Sequence, residues 1–167
     1  MTRIVCAFVC LCACVVTAED KPEVKNLLKP TNKVESWQFE EHEGGKGSIK
    51  ADGDTIVFNA STITGTDWHV QVYQVDLDLK DGQAYVLKFE AKSPERRGMN
   101  VVGAINVEDW HEIGLHEEVF AAPVEFKEYS YTFTASDVVA KKNRIGFVLG
   151  NEKGSLIIKN MTLTEKK

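Results

Sequence analysis

The chain has 167 residues, 43% of them hydrophobic, and a formal net charge of −5. That length suits one domain with its own core. The acidic balance excludes the basic stripe that a nucleic-acid partner would call for, and no apolar run reaches the roughly 20 residues needed to span a bilayer as a helix.

The first eighteen residues read as an export signal rather than as part of the fold. Arg3 is a short positive region, Ile4 to Val16 is apolar, and Val16-Thr17-Ala18 offers small residues for cleavage before Glu19. This divides the chain into residues 1–18, a signal peptide, and residues 19–167, a single domain. All four cysteines (Cys6, Cys10, Cys12 and Cys14) fall in the first part, so disulfides and Cys-based metal sites are not expected in the mature chain. Leu11-Cys12-Ala13-Cys14 allows a second reading, a lipobox that leaves Cys14 lipid-anchored. Both readings place the protein outside the cytoplasm, secreted or extracytoplasmic.

Beyond the signal, period-two segments dominate and no helical stripe is visible. Ser48-Ile49-Lys50 and Thr55-Ile56-Val57-Phe58 predict a hairpin around Asp52-Gly53. From Val70 to Val75 the inward set is Val70 and Val72, which leaves His69, Gln71 and Tyr73 on the other face. A face that meets only water does not need that trio. After a turn at Asp81-Gly82, Tyr85, Leu87, Phe89 and Ala91 alternate with Val86, Lys88, Glu90 and Lys92. Val101, Gly103 and Ile105 alternate with Asn100, Val102, Ala104 and Asn106. Tyr129, Tyr131 and Phe133 share a face, as do Ile145, Phe147 and Leu149, and then Leu156 and Ile158, with Met161 and Leu163 nearly in step. Short strands with turn residues between them predict an all-β protein, an antiparallel two-sheet sandwich. Two long connections interrupt the pattern, from Trp37 to Gly47 and from Glu108 to Pro123, and loops on a rigid sandwich are where binding residues concentrate.

These strands carry a resemblance. "WHVQVYQVDLDLKDGQAYVLKFEAKS" resembles the central signature of the CenC-type carbohydrate-binding modules. In it, a Trp-led strand and a second strand are joined by a turn matched by Leu79, Gly82 and Tyr85, and the closing Phe-x-Ala-Lys is matched by Phe89, Ala91 and Lys92. "EFKEYSYTFTAS" resembles the penultimate block, with Phe126 where Trp is commoner. "RIGFVLGNEKGSLIIKNMTL" resembles the closing block, including Gly150, Gly154, Asn160 and Leu163. The resemblance covers roughly Asn26 to Leu163. It implies a galactose-binding-like jelly roll that holds a glycan on one sheet face or its rim, usually in the service of an appended glycoside hydrolase. The chain departs from it in lacking a catalytic domain, in Lys29-Pro30-Thr31-Asn32 after Leu28, and in Lys159 before Asn160. The last two departures touch the region where relatives hold a structural calcium, so no calcium and no other cofactor is expected.

A glycan site combines flat aromatic faces, which meet the C–H-rich side of a pyranose, with planar amides and carboxylates, which bond neighbouring hydroxyls. Aligned by the family pattern, His69, Gln71 and Tyr73 share the non-core face with Lys88, Glu90 and Asn106. Trp110 joins them from the acidic loop Val107-Glu108-Asp109-Trp110-His111-Glu112, where no alternation demands burial; the competing reading is a tryptophan that anchors the loop over the sandwich edge. Trp68 shares parity with Val70 and Val72, which favours core or rim packing. Trp37 leans to packing under the first long connection. His111 and His116 with Glu112, Glu117 and Glu118 lack the spacing of a His-Glu-x-x-His metal site and read as solvated charge. Glu108 or Asp109 with Glu90 is the one glycosidase-like pairing, and carboxylate separation would decide it.

The sequence therefore predicts an exported, monomeric, non-catalytic module that reversibly binds a polysaccharide or oligosaccharide. The alternatives are a structural or protein-interaction sandwich without glycan binding and, more distantly, a minimal glycoside hydrolase.

Overall fold

The computed structural model describes residues 25–167. The export signal, the four cysteines and the Cys14 anchor lie outside the described residues. Ten strands follow in chain order: β1 (Gln38–Glu41), β2 (Lys46–Asp52), β3 (Thr55–Thr62), β4 (Val70–Leu77), β5 (Ala84–Lys92), β6 (Arg97–Ile105), β7 (Glu112–Ala122), β8 (Lys127–Thr134), β9 (Asn143–Val148) and β10 (Gly154–Glu165). Two short 3-10 turns, Val34–Ser36 and Asp67–His69, complete them. The strands form two antiparallel five-stranded sheets, ordered β1-β4-β9-β6-β7 and β2-β3-β10-β5-β8. Consecutive strands often lie in different sheets, as a jelly-roll sandwich requires. Among the described residues no helix is long and apolar enough to cross a membrane.

The inward side chains of both sheets meet in one core. Val70, Val72, Tyr85, Leu87, Phe89, Ile145, Phe147, Leu149, Leu156 and Ile158 are all buried there, as the alternation predicts. Tyr129 and Tyr131 also pack on this core but are only partly buried; β8 is the edge strand of its sheet. Phe89 ties the layers together: its ring stacks on Tyr129 at 5.5 Å and meets Phe147 edge-on at 5.2 Å. Trp37 packs into the same cluster, edge-on to Phe58 at 4.9 Å, with its indole N–H donating to the Thr31 carbonyl at 2.8 Å.

Three departures from the predicted pattern have local causes. The connection from Glu108 to Pro123 is mostly strand β7, hidden from period-two reading by a bulge. Gly103 pairs with Leu115 and Ala104 with Glu112, so two extra β7 residues, Ile113 and Gly114, sit opposite that step. Gly114 has φ 93° and lies against the Thr134 carbonyl, a position with no room for a Cβ. The first connection likewise contains β1. In β10 a bulge between Lys159 and Thr162, with Asn160 at φ 52°, resets parity so that Met161 and Leu163 return to the core.

Candidate functional site

The outward face of the β1-β4-β9-β6-β7 sheet is a groove of about 720 Å³, within the size range typical of ligand sites. Strand register shows how it is built. One row across the sheet runs Glu40, Gln71, Val148, Asn100; the next runs Gln38, Tyr73, Gly146, Val102, His116; the third holds Arg144, Ala104 and Glu112. The centre of the face is made of small or apolar residues, and Val102, Ala104 and Val148 form a buried cluster with Tyr73. Polar side chains rise on both flanks, Glu40 and His42 on one and Glu112 and His116 on the other. Two tryptophans complete the lining, Trp68 at 47% exposure and Trp110 at 50%.

Gly146 sets the depth of the floor. A Cβ there would overlap the Val72 carbonyl oxygen and stand 2.9 Å from Tyr73 Cδ1, so only glycine lets the tyrosine lie across this row. The Tyr73 ring is 2% exposed, and burial pushes its phenol far above its ordinary pKa. Its hydroxyl donates to Gln71 Oε1 at 2.9 Å, and Gln71 Nε2 donates to Glu40 Oε2 at 2.7 Å. His42 Nε2 lies 3.3 Å from the same Glu40 oxygen. The guanidinium of Arg144 covers the Tyr73 ring at 4.0 Å from its centroid, with Nη1 3.4 Å from both Glu40 carboxylate oxygens. At the opposite end of the groove Asp67 accepts the Asn100 amide at 3.0 Å and the Trp68 backbone N–H at 2.8 Å. His116 pairs with Glu112 on β7. Each groove carboxylate thus already holds a polar partner.

The residues singled out from the sequence divide into two groups. Gln71, Tyr73 and Trp110 line the groove together. Tyr73, however, supplies floor rather than accessible stacking surface, because Arg144 lies over it. His69 does not line the groove: it belongs to the turn Asp67–His69, its Nδ1 bonds Thr64 Oγ1, and its ring lies edge-on to Trp68 at 4.2 Å. Lys88 and Glu90 lie on the outward face of the other sheet, since β5 pairs with β10 and β8 and not with β4. Glu90 accepts the Asn160 amide at 2.7 Å and pairs with Lys159, and these two contacts, the amide first, hold its carboxyl below the usual range. Glu90 and the Glu108-Asp109 loop therefore belong to different sheets and form no carboxylate pair. Asn106 lies just past β6, where its N–H donates to the Lys142 carbonyl at 2.6 Å, and it does not line the groove.

Trp68 corrects the parity argument. The strand begins at Val70, and the preceding 3-10 turn breaks the alternation that would have sent the indole inward. The sequence reasoning did not single out Glu40, His42, Asp67, Asn100 and Arg144 as site residues. Arg144 was legible in principle: it alternates with Ile145, Phe147 and Leu149, so it shares the outward face with Gly146 and Val148. His111 bonds Asp109 at 2.9 Å and the Asp137 carbonyl at 2.8 Å. Among the described residues no group of three or more His, Cys, Asp or Glu is placed to hold a metal ion.

Comparison with known proteins places this geometry. Residues 20–154 match the family model described as a carbohydrate binding domain. A solved structure described as "CBM4 structure and function" superposes with a TM-score of 0.71 at 18% identity, covering 84% of this chain and 93% of that one. The second N-terminal cellulose-binding domain of Cellulomonas fimi β-1,4-glucanase C gives 0.67 at 15% identity, over 87% and 97%. A family 11 carbohydrate-binding module from Clostridium thermocellum, solved with a β-1,3-1,4-mixed-linked tetrasaccharide, gives 0.55 at 14%, over 83% and 94%. The search of curated proteins found no match. At these identities the superpositions speak for the shared sandwich, and the family match, which spans most of the sequence, speaks for kinship: the chain belongs to the carbohydrate-binding domain family, in line with its CenC-type signatures.

Proposed function

We propose that the protein is a non-catalytic module that holds a polysaccharide or oligosaccharide chain in the groove of the β1-β4-β9-β6-β7 sheet. The observation that carries this reading is a pair of half-exposed indoles, Trp68 and Trp110, set on a groove with an apolar floor and polar flanks. Indole faces stack on pyranose rings while amides and carboxylates take the hydroxyls. Absence of catalysis is supported by the state of the carboxylates. Glycosidases set two carboxyl groups across the scissile bond, one as an acid and the other as base or nucleophile. In the groove Glu40, Glu112 and Asp67 are each tied to neighbouring side chains.

Binding of this kind is reversible, with an affinity of about micromolar to millimolar, because a shallow sugar site excludes little water. Export is supported by the apolar stretch Ile4 to Val16 and the small residues before Glu19. Residues 19–167 would then be one mature domain, acting as a monomer. Mass spectrometry of the exported protein distinguishes a chain starting at Glu19 from one lipidated at Cys14.

The test of function is a glycan array probed with the purified protein, with cellulose and mixed-linked β-1,3-1,4-glucan among the ligands because related modules are described with them. Binding to one class of glycan is expected. Release of new reducing ends from those glycans, lost in a Glu40→Gln or Glu112→Gln variant, would overturn the non-catalytic reading.

A further inference from the structure

We infer that Arg144 is a positioning residue of the groove: its guanidinium lies between the Tyr73 and Trp110 rings and fixes the indole at the angle in which it meets a glycan. This inference rests on the glycan-binding reading only for the last step, since the contact itself belongs to the free protein. The guanidinium is 4.0 Å from the Tyr73 centroid and 4.7 Å from the Trp110 centroid, within the range of cation–π attraction. It is held from two sides. Below it Tyr73 is buried, its ring in the space that Gly146 leaves and its hydroxyl bonded to Gln71 Oε1. Beside it Glu40 lies 3.4 Å from Nη1 through both oxygens.

Trp110 needs such a partner. Asp109 has φ 92° and Trp110 φ 52°, so two successive non-glycine residues adopt left-handed backbone, a conformation that persists only where surrounding contacts over-determine it. The Trp110 N–H donates to the Val107 carbonyl at 3.1 Å and closes the turn, but that bond sets the backbone and leaves the indole free to rotate about its side-chain torsions. The Arg144 plane selects among those rotamers. Direct contact of Arg144 with a sugar is disfavoured by its own geometry. Its side chain is only 6% exposed.

The experiment uses the protein labelled with 5-fluorotryptophan, whose three indoles (Trp37, Trp68 and Trp110) give three fluorine resonances assigned by single Trp→Phe variants. In Arg144→Leu the Trp110 line should shift and broaden through rotamer exchange, while the buried Trp37 line stays in place as a report on the fold. If Arg144→Leu fails to fold, the pair Glu40→Gln with Arg144→Gln leaves no unpaired charge and should move the Trp110 line in the same way. An unmoved Trp110 line in the folded variant overturns the inference.

Binding of a mixed-linked β-1,3-1,4-glucan tetrasaccharide supplies the second readout. Arg144→Leu should weaken it about tenfold, and the double variant with Trp110→Ala should bind no more weakly than Trp110→Ala alone. Additive losses would mean that Arg144 touches the sugar directly and would overturn the positioning role. If the unmutated protein binds neither this tetrasaccharide nor any glycan on an array, the functional reading fails, and the fluorine spectra alone decide whether Arg144 holds the ring.

Discussion

The two outward sheet faces are built from the same period-two alternation and have opposite characters. On the β2-β3-β10-β5-β8 sheet the outward side chains of β5 and β10 include charged groups held by neighbours, Lys159 with Glu90 at 3.4 Å and Lys92 and Lys159 both over the Phe126 ring, while Val57, Asn59, Ser155 and Ile157 line a smaller hollow of about 430 Å³ without a tryptophan. On the β1-β4-β9-β6-β7 sheet the centre is Gly146, Val102 and Ala104, with the Tyr73 ring lying against Gly146 under Arg144 and the two half-exposed indoles at the margins. A row of small residues across the middle of a sheet makes a groove; a row of lysines and glutamates makes a solvated surface. Alternation reveals that a strand has two faces, but the sizes along each cross-strand row decide which face can hold a ligand.

The comparison breaks most severely where both faces depend on the shared core. Phe89→Ala should cost about 3–5 kcal/mol, through lost transfer energy plus the cavity left among Tyr129, Tyr131 and Phe147. Chemical denaturation should show that loss as a lower midpoint, and both faces should fail together.

Substitutions on one face separate the two. Trp110→Ala and Trp68→Ala should each weaken glycan binding by about 1–3 kcal/mol, as truncating an interface aromatic does. Their melting temperatures should barely change, because each indole is about half exposed. Lys88→Ala and Glu90→Gln, on the opposite face, should leave affinity unchanged. Calorimetric titration of the four variants measures the contrast.

Tyr73 sharpens it further. Because its buried hydroxyl bonds Gln71, Tyr73→Phe should lower stability by about 0.5–1.5 kcal/mol. The effect on affinity should be smaller than that of either tryptophan, since Tyr73 lies beneath Arg144 rather than in the open groove. Thermal denaturation beside a titration distinguishes floor from contact surface.

The smallest effect is in the pH dependence of the Trp110 loop. The Asp137 carbonyl, and then Asp109, raise the pKa of His111 from its ordinary value of 6.5. A raised folded-state value means that protonated His111 stabilises the loop fully below that ordinary value and loses the contribution as pH climbs through the raised one. The melting-temperature difference between the unmutated protein and His111→Gln should therefore be largest near pH 6 and shrink towards pH 9.

Most of the fold was legible because burial on one face imposes a strict parity. Eleven of the thirteen side chains placed in the core by alternation are buried, Phe133 among them, and the two that are only partly buried, Tyr129 and Tyr131, lie on an edge strand. The site was legible only in part. Gln71, Tyr73 and Trp110, which line the groove, stood out because a polar-aromatic face or an aromatic in an acidic loop needs a reason. Lys88 and Glu90 were misplaced because parity along one strand does not say which sheet the strand joins, and a turn in a jelly roll often crosses between sheets. Trp68 stands at the rim of the groove rather than in the core because a single 3-10 turn resets parity, and β7 was missed because its bulge does the same. Glu40 and Arg144 are far apart in sequence and meet only through β1-β4-β9 pairing, a non-local fact that no local pattern carries.

The most direct test of the central claim is an NMR titration of the isotope-labelled protein with the glycan that binds best on an array. The account predicts that shifted signals cluster on Trp68, Gln71, Asn100, Trp110 and Arg144, with Lys88, Glu90 and Lys159 unmoved. Shifts confined to the β5 and β10 face, or spread evenly over both faces, would contradict it.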